Sequence, residues 1–430
     1  MKLEIGNISV EKLSFGNETK LNGNEVVINN EELVAFIRTL DDRITEIKLD
    51  IALPGESTRI MPVKDVIEPR VKVSGPGTIF PGRLSGEEAM VGEGRTNVLK
   101  GMAVVTCGHV VGFQEGIIDM SGTGAEYTPF SKTKNLVVTC EVSEECNQYI
   151  HEEILRSVGL ETAKFIGKIA LEAKPDEVKS YETLPMLEQA AQYPELPKIG
   201  YVYMLQSQGL MHDTYLYGVD VKQILPTLIY PTEVMDGAII SGNCVSACDK
   251  NPTIVHQNSP IIHELYEHHG TKYNFMGVII TNENVTLADK ERSSNYVAKL
   301  AEMMGWDAAI VSEEGFGNPD ADLVMNCNKL TAKGLQTVLV TDEYAGPKGD
   351  SPSLADSTPK GDAVISNGNA NMVVELPPME RIIGHAKYAD MIAGGTDGSL
   401  REDGSIVTEI QAITGATNEL GYNFLTARAG

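Results

Sequence analysis

The sequence predicts an α/β protein with two unlike halves. The N-terminal half is β-rich and mixed. The C-terminal half alternates strands and helices around a mostly parallel sheet. Three observations carry this. Apolar runs such as "GMAVVTCGHV" and "NLVVTCEV" read as buried strands early in the chain. Later, "NFMGVIIT", "DAAIVS" and "QTVLVT" are separated by amphipathic stretches, the pattern of right-handed crossovers between parallel strands. Between the halves lies a polar loop, "SGNCVSACDKN", residues 241–251.

In chain order, "TKLNGNEVVI" places Asn22-Gly23 between two alternating runs, a hairpin signal. "NNEELVAFIRTL" follows as a helix with Asn30 as N-cap and acids in its first turn. Residues 71–97 are rich in glycine and proline and read as an ordered loop crossing. Over 147–173, Ile150, Ile154, Leu155, Val158, Phe165, Ile166 and Ile169 recur at helical spacing. "KIGYVYMLQSQG" is a further strand, and "LADKERSSNYVAKLAEMMG" and "NPDADLVMNCNKLTAKG" are helices. Ligands of such sheets sit at the carboxyl ends of the strands. That edge carries "EEGFGN" (313–318) and a long loop over 342–362, too long for a mere connection and read as a lid or a disordered segment.

Composition narrows the function. The balance of 35 Lys+Arg against 60 Asp+Glu gives −25, a field that repels nucleic acid and anionic membrane surfaces. The start, "MKLEIGNISVEK", has no apolar core of a secretory signal, and no apolar run approaches the roughly 20 residues of a membrane span. The expectation is a cytoplasmic protein with no nucleic-acid or membrane partner. Its six cysteines (Cys107, Cys140, Cys146, Cys244, Cys248, Cys327) are then reduced, and serve packing, metal or chemistry.

Four places invite chemistry. In "EEGFGNPDADL", Gly315 and Gly317 lie between a strand and a helix capped by Asn318 or Asp320. Their amides could cradle an anion, or the glycines could form only a tight turn. This is no dinucleotide fingerprint, because the third glycine is missing and Glu313 and Glu314 oppose a pyrophosphate. "HELYEH" resembles a zinc-protease motif, but the motif needs histidine at 267, where Glu267 stands, so no metal is expected. Ser259 and Pro260 open a helix there, and His256, His263, His268 and His269 are expected on its partly exposed surface. Cys107 and His109 fall on one face of a strand end, as a nucleophile pair or as two core residues.

The fourth is "SGNCVSACDKN". Gly242-Asn243 could be a plain turn, with Cys244 and Cys248 as packing residues. C-x-x-x-C is neither the redox pair nor half of a completed zinc site. Alternatively, the Cys244 thiol attacks the carbonyl of Asn243, helped by the backbone freedom of Gly242. Hydrolysis of that thioester leaves Cys244 as an N-terminal nucleophile whose amine is its base. Loss of the Cα proton instead expels sulfur, and the dehydroalanine hydrolyses to a pyruvoyl ketone. Spacing alone leaves all three open.

"SGNCVSACDKN" in this position, followed by a β/α half with "EEGFGNPDADL", resembles the component B proproteins of the glycine, sarcosine and betaine reductases of clostridia. The resemblance covers essentially the whole chain. It implies cleavage between Asn243 and Cys244 into subunits 1–243 and 244–430, with Cys244 becoming a pyruvoyl group that holds the substrate amine as a Schiff base. It implies a hetero-oligomer with a selenocysteine-containing subunit of component B, selenoprotein A, component C and, indirectly, the thioredoxin system. The reaction implied is reductive deamination of glycine, or of an N-methylated glycine, to acetyl phosphate and ammonia. No metal is implied. The chain has no selenocysteine, so the attacking selenol must come from the partner. Gly315, Gly317 and Asn318 are candidates for binding the substrate carboxylate.

Betaine's quaternary nitrogen cannot form an imine, so the site favours a primary or secondary amine. Sarcosine and betaine reductases are the alternative assignments. From other classes, the rivals are an amidohydrolase that keeps Cys244 as N-terminal nucleophile and an uncleaved scaffold. Against the first, "CVSACDKNPTIVHQNSP" is polar and broken by Pro252 where a long strand is expected.

Overall fold

The computed structural model describes residues 1–84, 90–112, 114–209, 211, 214–242 and 246–421. Asn243, Cys244 and Val245 lie outside the described residues.

The N-terminal half holds two larger sheets. In one, Lys2–Ser9 pairs in parallel with Gly94–Lys100 and antiparallel with Glu177–Glu182. In the other, the expected strands Met102–Cys107 and Lys134–Val142 run parallel, flanked by Thr58–Ile67 and Ile44–Ala52. The hairpin forms as read, Lys20–Asn22 against Glu25–Ile28, with Gly23 at φ 59°, a left-handed value that glycine tolerates. The next helix, Asn30–Arg38, is capped by Asn29, not Asn30: the Asn29 backbone is extended and its side chain accepts the Glu32 amide. The 71–97 stretch is less of a loop than expected, because Arg70–Ser74 is a strand paired with Gly94–Lys100. The long helix runs Gln148–Gly167, with Asn147 as its cap.

The second half is built on a six-stranded sheet. Five of its strands are parallel: Lys198–Leu205, Asn274–Asn282, Ala308–Ser312, Gln336–Glu343 and Ala363–Asn369. Counted in chain order, their spatial order is 2-1-3-4-5, with the short antiparallel strand Thr227–Ile229 on the outer edge of the second. This is an open, doubly wound order whose direction reverses beside the first strand. Alternation sorts the faces. Val202 and Met204 pack under the helices Leu287–Met303 and Asn318–Ala332, with Val297, Ala301, Leu323 and Leu330. Tyr201, Tyr203 and Leu205 face Ile261, Ile262 and Leu265 of helix Pro260–Glu267. A Cβ on Gly200 would fall 2.1 Å from the ring of Trp306, so the first strand needs glycine there.

The strands do not respect residue 243. Lys198–Leu205, from the first half, lies between two strands of the second. Reciprocally, Arg381–Gly384 adds in parallel to Thr58–Ile67. Nearby, buried Arg59 grips Asp119 through two bonds of 2.6 and 2.8 Å and donates to the Pro377 carbonyl at 2.9 Å. The 342–362 loop is folded back on the sheet edge. Tyr344 stacks on Phe316 with ring centroids 4.5 Å apart, and Thr358 donates to Asn328 at 2.7 Å.

Candidate functional site

Gly242 and Ser246, on either side of the Asn243-Cys244-Val245 stretch, are both buried. Upstream, Ile239–Ile240 pairs with Tyr215–Leu216, and the Ser241 amide donates to Thr253 Oγ1 at 3.1 Å. Thr253 Oγ1 in turn donates to Asp65 Oδ2 at 2.7 Å, while Asp65 Oδ1 accepts the amides of Thr253 and Val66 at 2.9 and 2.8 Å. Downstream, Ser246 donates to Gln411 Oε1 at 3.1 Å. The Ala247 carbonyl accepts the Gly415 amide at 2.8 Å, and the Cys248 carbonyl accepts those of Thr417 and Asn418 at 2.9 and 3.1 Å.

The segment after the junction lies on the carboxyl edge of the parallel sheet. The Asn251 amide donates to Glu314 Oε1 at 3.2 Å, and Glu314 Oε2 accepts the Gln206 amide at 2.7 Å. Gln206 follows the first strand and Glu314 follows the third. Glu314 therefore bridges the topological switch point, where ligands of such sheets bind. Tyr203, on the first strand, accepts Asn251 Nδ2 at 3.3 Å and lies 2.8 Å from His256 Nδ1. The other nitrogen of His256 is 3.7 Å from Glu314 Oε1.

This edge is dry and acidic. Burial pushes Glu314 up to about 8, and Asp249 and Glu419 to about 7. Glu283, Glu313 and Asp342 are raised well above the usual carboxylate range, by burial first and then by their acidic neighbours. Burial depresses His256 to about 3, so its imidazole is neutral. Carboxyl groups here hold protons near neutral pH, and the edge carries much less negative charge than its composition suggests.

The residues singled out from sequence fall as follows. Asn243 and Cys244 lie outside the described residues, and the frame around them is the one above. Gly315 is buried beside Glu314, and Asn318 is exposed at the first position of its helix. Gly317 is the N-cap, and its amide donates to Asp320 at 2.8 Å, so Asp320 supplies the cap carboxylate from the third helical position. Cys248 is fully buried, its thiol pushed up by burial. Cys107 is also buried, pushed up to about 12, while His109 stacks on Tyr388 with centroids 4.2 Å apart. His256 departs from the expectation of a partly exposed surface: it is fully buried on a separate short helix, Thr253–Gln257. Among the described residues no group of three or more His, Cys, Asp or Glu side chains could hold a metal ion, and no helix is long and apolar enough to cross a membrane.

Sequence reasoning missed Thr253, His256 and Asp249 as parts of this frame, and read Glu314 only as a repulsive charge. The available signal was position: Glu314 ends a strand at the ligand-binding edge, and Asp249, Thr253 and His256 lie within a dozen residues of the junction.

A buried donor without a partner lies beside the junction's downstream arm. A Cβ on Gly116 would lie 2.4 Å from Thr414 Oγ1 and 2.5 Å from the Ala247 Cβ, so the glycine lets Thr414 and the junction's downstream arm pack directly on its backbone. The hydroxyl of Thr414 there is buried without a hydrogen-bond partner. An uncommitted hydroxyl of this kind matches a ketone's need for a hydrogen-bond donor.

An open doubly wound sheet, with the segment around Asn251 held at its switch point, defines an α/β protein of the class whose ligands bind at the carboxyl edge of the sheet. A family profile described as glycine/sarcosine/betaine reductase component B subunits matches residues 1–428. Over 428 residues the chain is 63% identical to "Glycine reductase complex component B subunits alpha and beta" of Peptoclostridium acidaminophilum, covering all of both chains. It is 62% identical over 430 residues to the protein of the same name from Acetoanaerobium sticklandii, again covering all of both. Identity to the sarcosine reductase complex component B subunit alpha of Peptoclostridium acidaminophilum is 51% over 428 residues, with both chains fully covered. No solved structure matches the chain. The chain belongs to the glycine/sarcosine/betaine reductase component B family, and so to the oxidoreductases.

Proposed function

We propose that this chain is the substrate-binding component B proprotein of a glycine reductase, that it cleaves itself between Asn243 and Cys244, and that Cys244 becomes a pyruvoyl group. One observation carries the reading: a single uninterrupted chain aligns from end to end, at 63% identity, with a protein named for two subunits, alpha and beta. The junction also lies between two separately anchored arms, as a self-cleaving bond requires. In the cleavage, the Cys244 thiol adds to the Asn243 carbonyl and the C–N bond breaks. Loss of the Cα proton then expels the sulfur with the upstream chain. The upstream chain leaves with a C-terminal thiocarboxylate, and the dehydroalanine tautomerises to an imine that water hydrolyses to the ketone, releasing ammonia.

The pyruvoyl group supplies a ketone carbonyl that condenses with a primary or secondary amine. The chain's own residues orient and exclude water around it. Thr414, packed on Gly116, offers a buried donor, and Glu314 fixes the downstream segment against the first and third strands. With Glu314 raised to about 8, the edge tolerates a substrate carboxylate that an ionised glutamate would repel. That carboxylate falls to the 313–318 loop. There the Gly317 amide is already engaged by Asp320, which leaves Gly315 as the principal donor and Asn318 at the rim. A partner subunit with selenocysteine supplies the nucleophile, and the carboxymethyl group passes to selenoprotein A and on to component C, with thioredoxin as reductant.

Substrate choice is tested by adding the purified chain to the other components of the complex with glycine, sarcosine or betaine. Ammonia and acetyl phosphate from glycine, with little turnover of the other two, is expected. Methylamine from sarcosine as the main product would reassign the substrate.

A further inference from the structure

We propose that Thr253, itself held by Asp65, is the positioning residue that fixes the upstream side of the Asn243-Cys244 junction for cleavage. This rests on the self-cleavage reading above.

Thr253 Oγ1 has one hydrogen, and the Asp65 carboxylate 2.7 Å away claims it. The lone pairs that remain face the Ser241 amide at 3.1 Å. Asp65 therefore dictates the direction of the threonine hydrogen bond, and its second oxygen fixes the Thr253 backbone as well, at 2.9 Å. Asp65, Ser241 and Thr253 are all almost fully buried, so water does not compete.

The Ser241–Thr253 bond spans the junction, since one partner precedes it and the other follows. Downstream, Ser246 on Gln411 and Ala247 on Gly415 form the opposite anchor. Only residues 242–245 lie between the two fixed points. Attack of a thiol on the preceding carbonyl needs the two atoms within near-attack distance, and such pre-organisation accounts for large rate factors. A span of this length held at both ends restricts the reacting peptide to few conformations, and Gly242 gives it the torsional freedom to twist within them.

The test measures cleavage, not enzyme turnover. Freshly translated chain is followed by intact mass over time, for wild type, Thr253→Val, Thr253→Ser, and a variant with one glycine inserted between Gly242 and Asn243. Thr253→Val should slow cleavage by about tenfold or more, while Thr253→Ser, which keeps the hydroxyl, should stay within about threefold of wild type. The insertion leaves both anchors intact but adds slack, and should slow cleavage with no change in thermal melting. If Thr253→Val does not fold, the insertion decides. Wild-type cleavage rates in Thr253→Val or in the insertion variant overturn the proposal. A wild-type chain that never splits overturns the self-cleavage reading together with it, whereas a wild type that splits alongside an equally fast Thr253→Val overturns the clamp alone.

Discussion

Glu314 accepts the backbone amide of Asn251 at 3.2 Å. Through this bond a carboxyl at the end of the third parallel strand holds the segment that follows the Asn243-Cys244 junction. The same side chain accepts the Gln206 amide from the first strand. The segment after residue 244 and the carboxyl edge of the sheet are thus joined by one acid, whose proton burial favours.

That acid makes stability fall with rising pH. Glu314 is raised to about 8, and Asp249 and Glu419 to about 7, each well above the ordinary range of its type. From about pH 4.5 to 8 the folded chain binds more protons at these sites than the unfolded chain, so the stability they contribute declines across that window and is gone above it. The depressed histidines, His256 at about 3 with His151 and His263 at about 4, act oppositely but only below their unfolded value of about 6.5. Between about pH 7 and 8.5 the carboxyls dominate. The melting temperature should drop there by on the order of 3 °C or more, and Glu314→Gln should flatten the slope. A flat or rising profile in scanning calorimetry contradicts this.

Cleavage should not separate the two products. Lys198–Leu205 belongs to 1–243 yet lies between Asn274–Asn282 and Ala308–Ser312 of 244–430. Removing it would expose both neighbouring strand edges. The fragments should co-elute as one species in native size exclusion and part only in denaturant. Spontaneous separation in buffer would refute the interlock.

Gly200→Ala should cost about 1–3 kcal/mol, because the added methyl meets the Trp306 ring and the packed core does not yield readily. Chemical denaturation of the uncleaved Cys244→Ala chain, with and without the change, measures it. A difference below about 0.5 kcal/mol would mean that the ring moves aside.

Cys244→Ala should itself abolish cleavage, since no other thiol among the described residues is placed to replace it. Cys248 is the nearest in sequence, and it is buried with its thiol pushed well up. The thiolate is the attacking form, so a raised thiol is a poor substitute. Electrophoresis of the variant under denaturing conditions reads the outcome, and two bands would refute the assignment.

Much of this was legible in the sequence, for physical reasons. The alternation of strands and helices after residue 274 reports local periodicity, and the parallel sheet followed from it. The Gly-Asn-Cys segment could be singled out through its resemblance to a family motif, whereas its spacing alone left a turn, a nucleophile and a cleavage site open. What escaped were pairings between distant parts of the chain. Nothing local to "KIGYVYMLQ" says that it enters a sheet made by later strands, or that Gly200 must clear Trp306. His256 looked like one of a surface cluster because its burial depends on Tyr203, 53 residues earlier. Glu313 and Glu314 looked like fixed charges because a sequence does not display the desolvation that keeps them protonated.

The central claim is that the chain breaks at Asn243-Cys244 and carries a ketone at the new N-terminus. Intact mass spectrometry of the purified protein under denaturing conditions, before and after a hydrazine, tests it most directly. Two masses are expected: 1–243, ending in a thiocarboxylate or, after its hydrolysis, a carboxylate, and 244–430, lacking both the amine and the thiol of residue 244 and gaining one hydrazone. A single full-length mass, or a second fragment that keeps a free N-terminal cysteine and ignores the hydrazine, would contradict it.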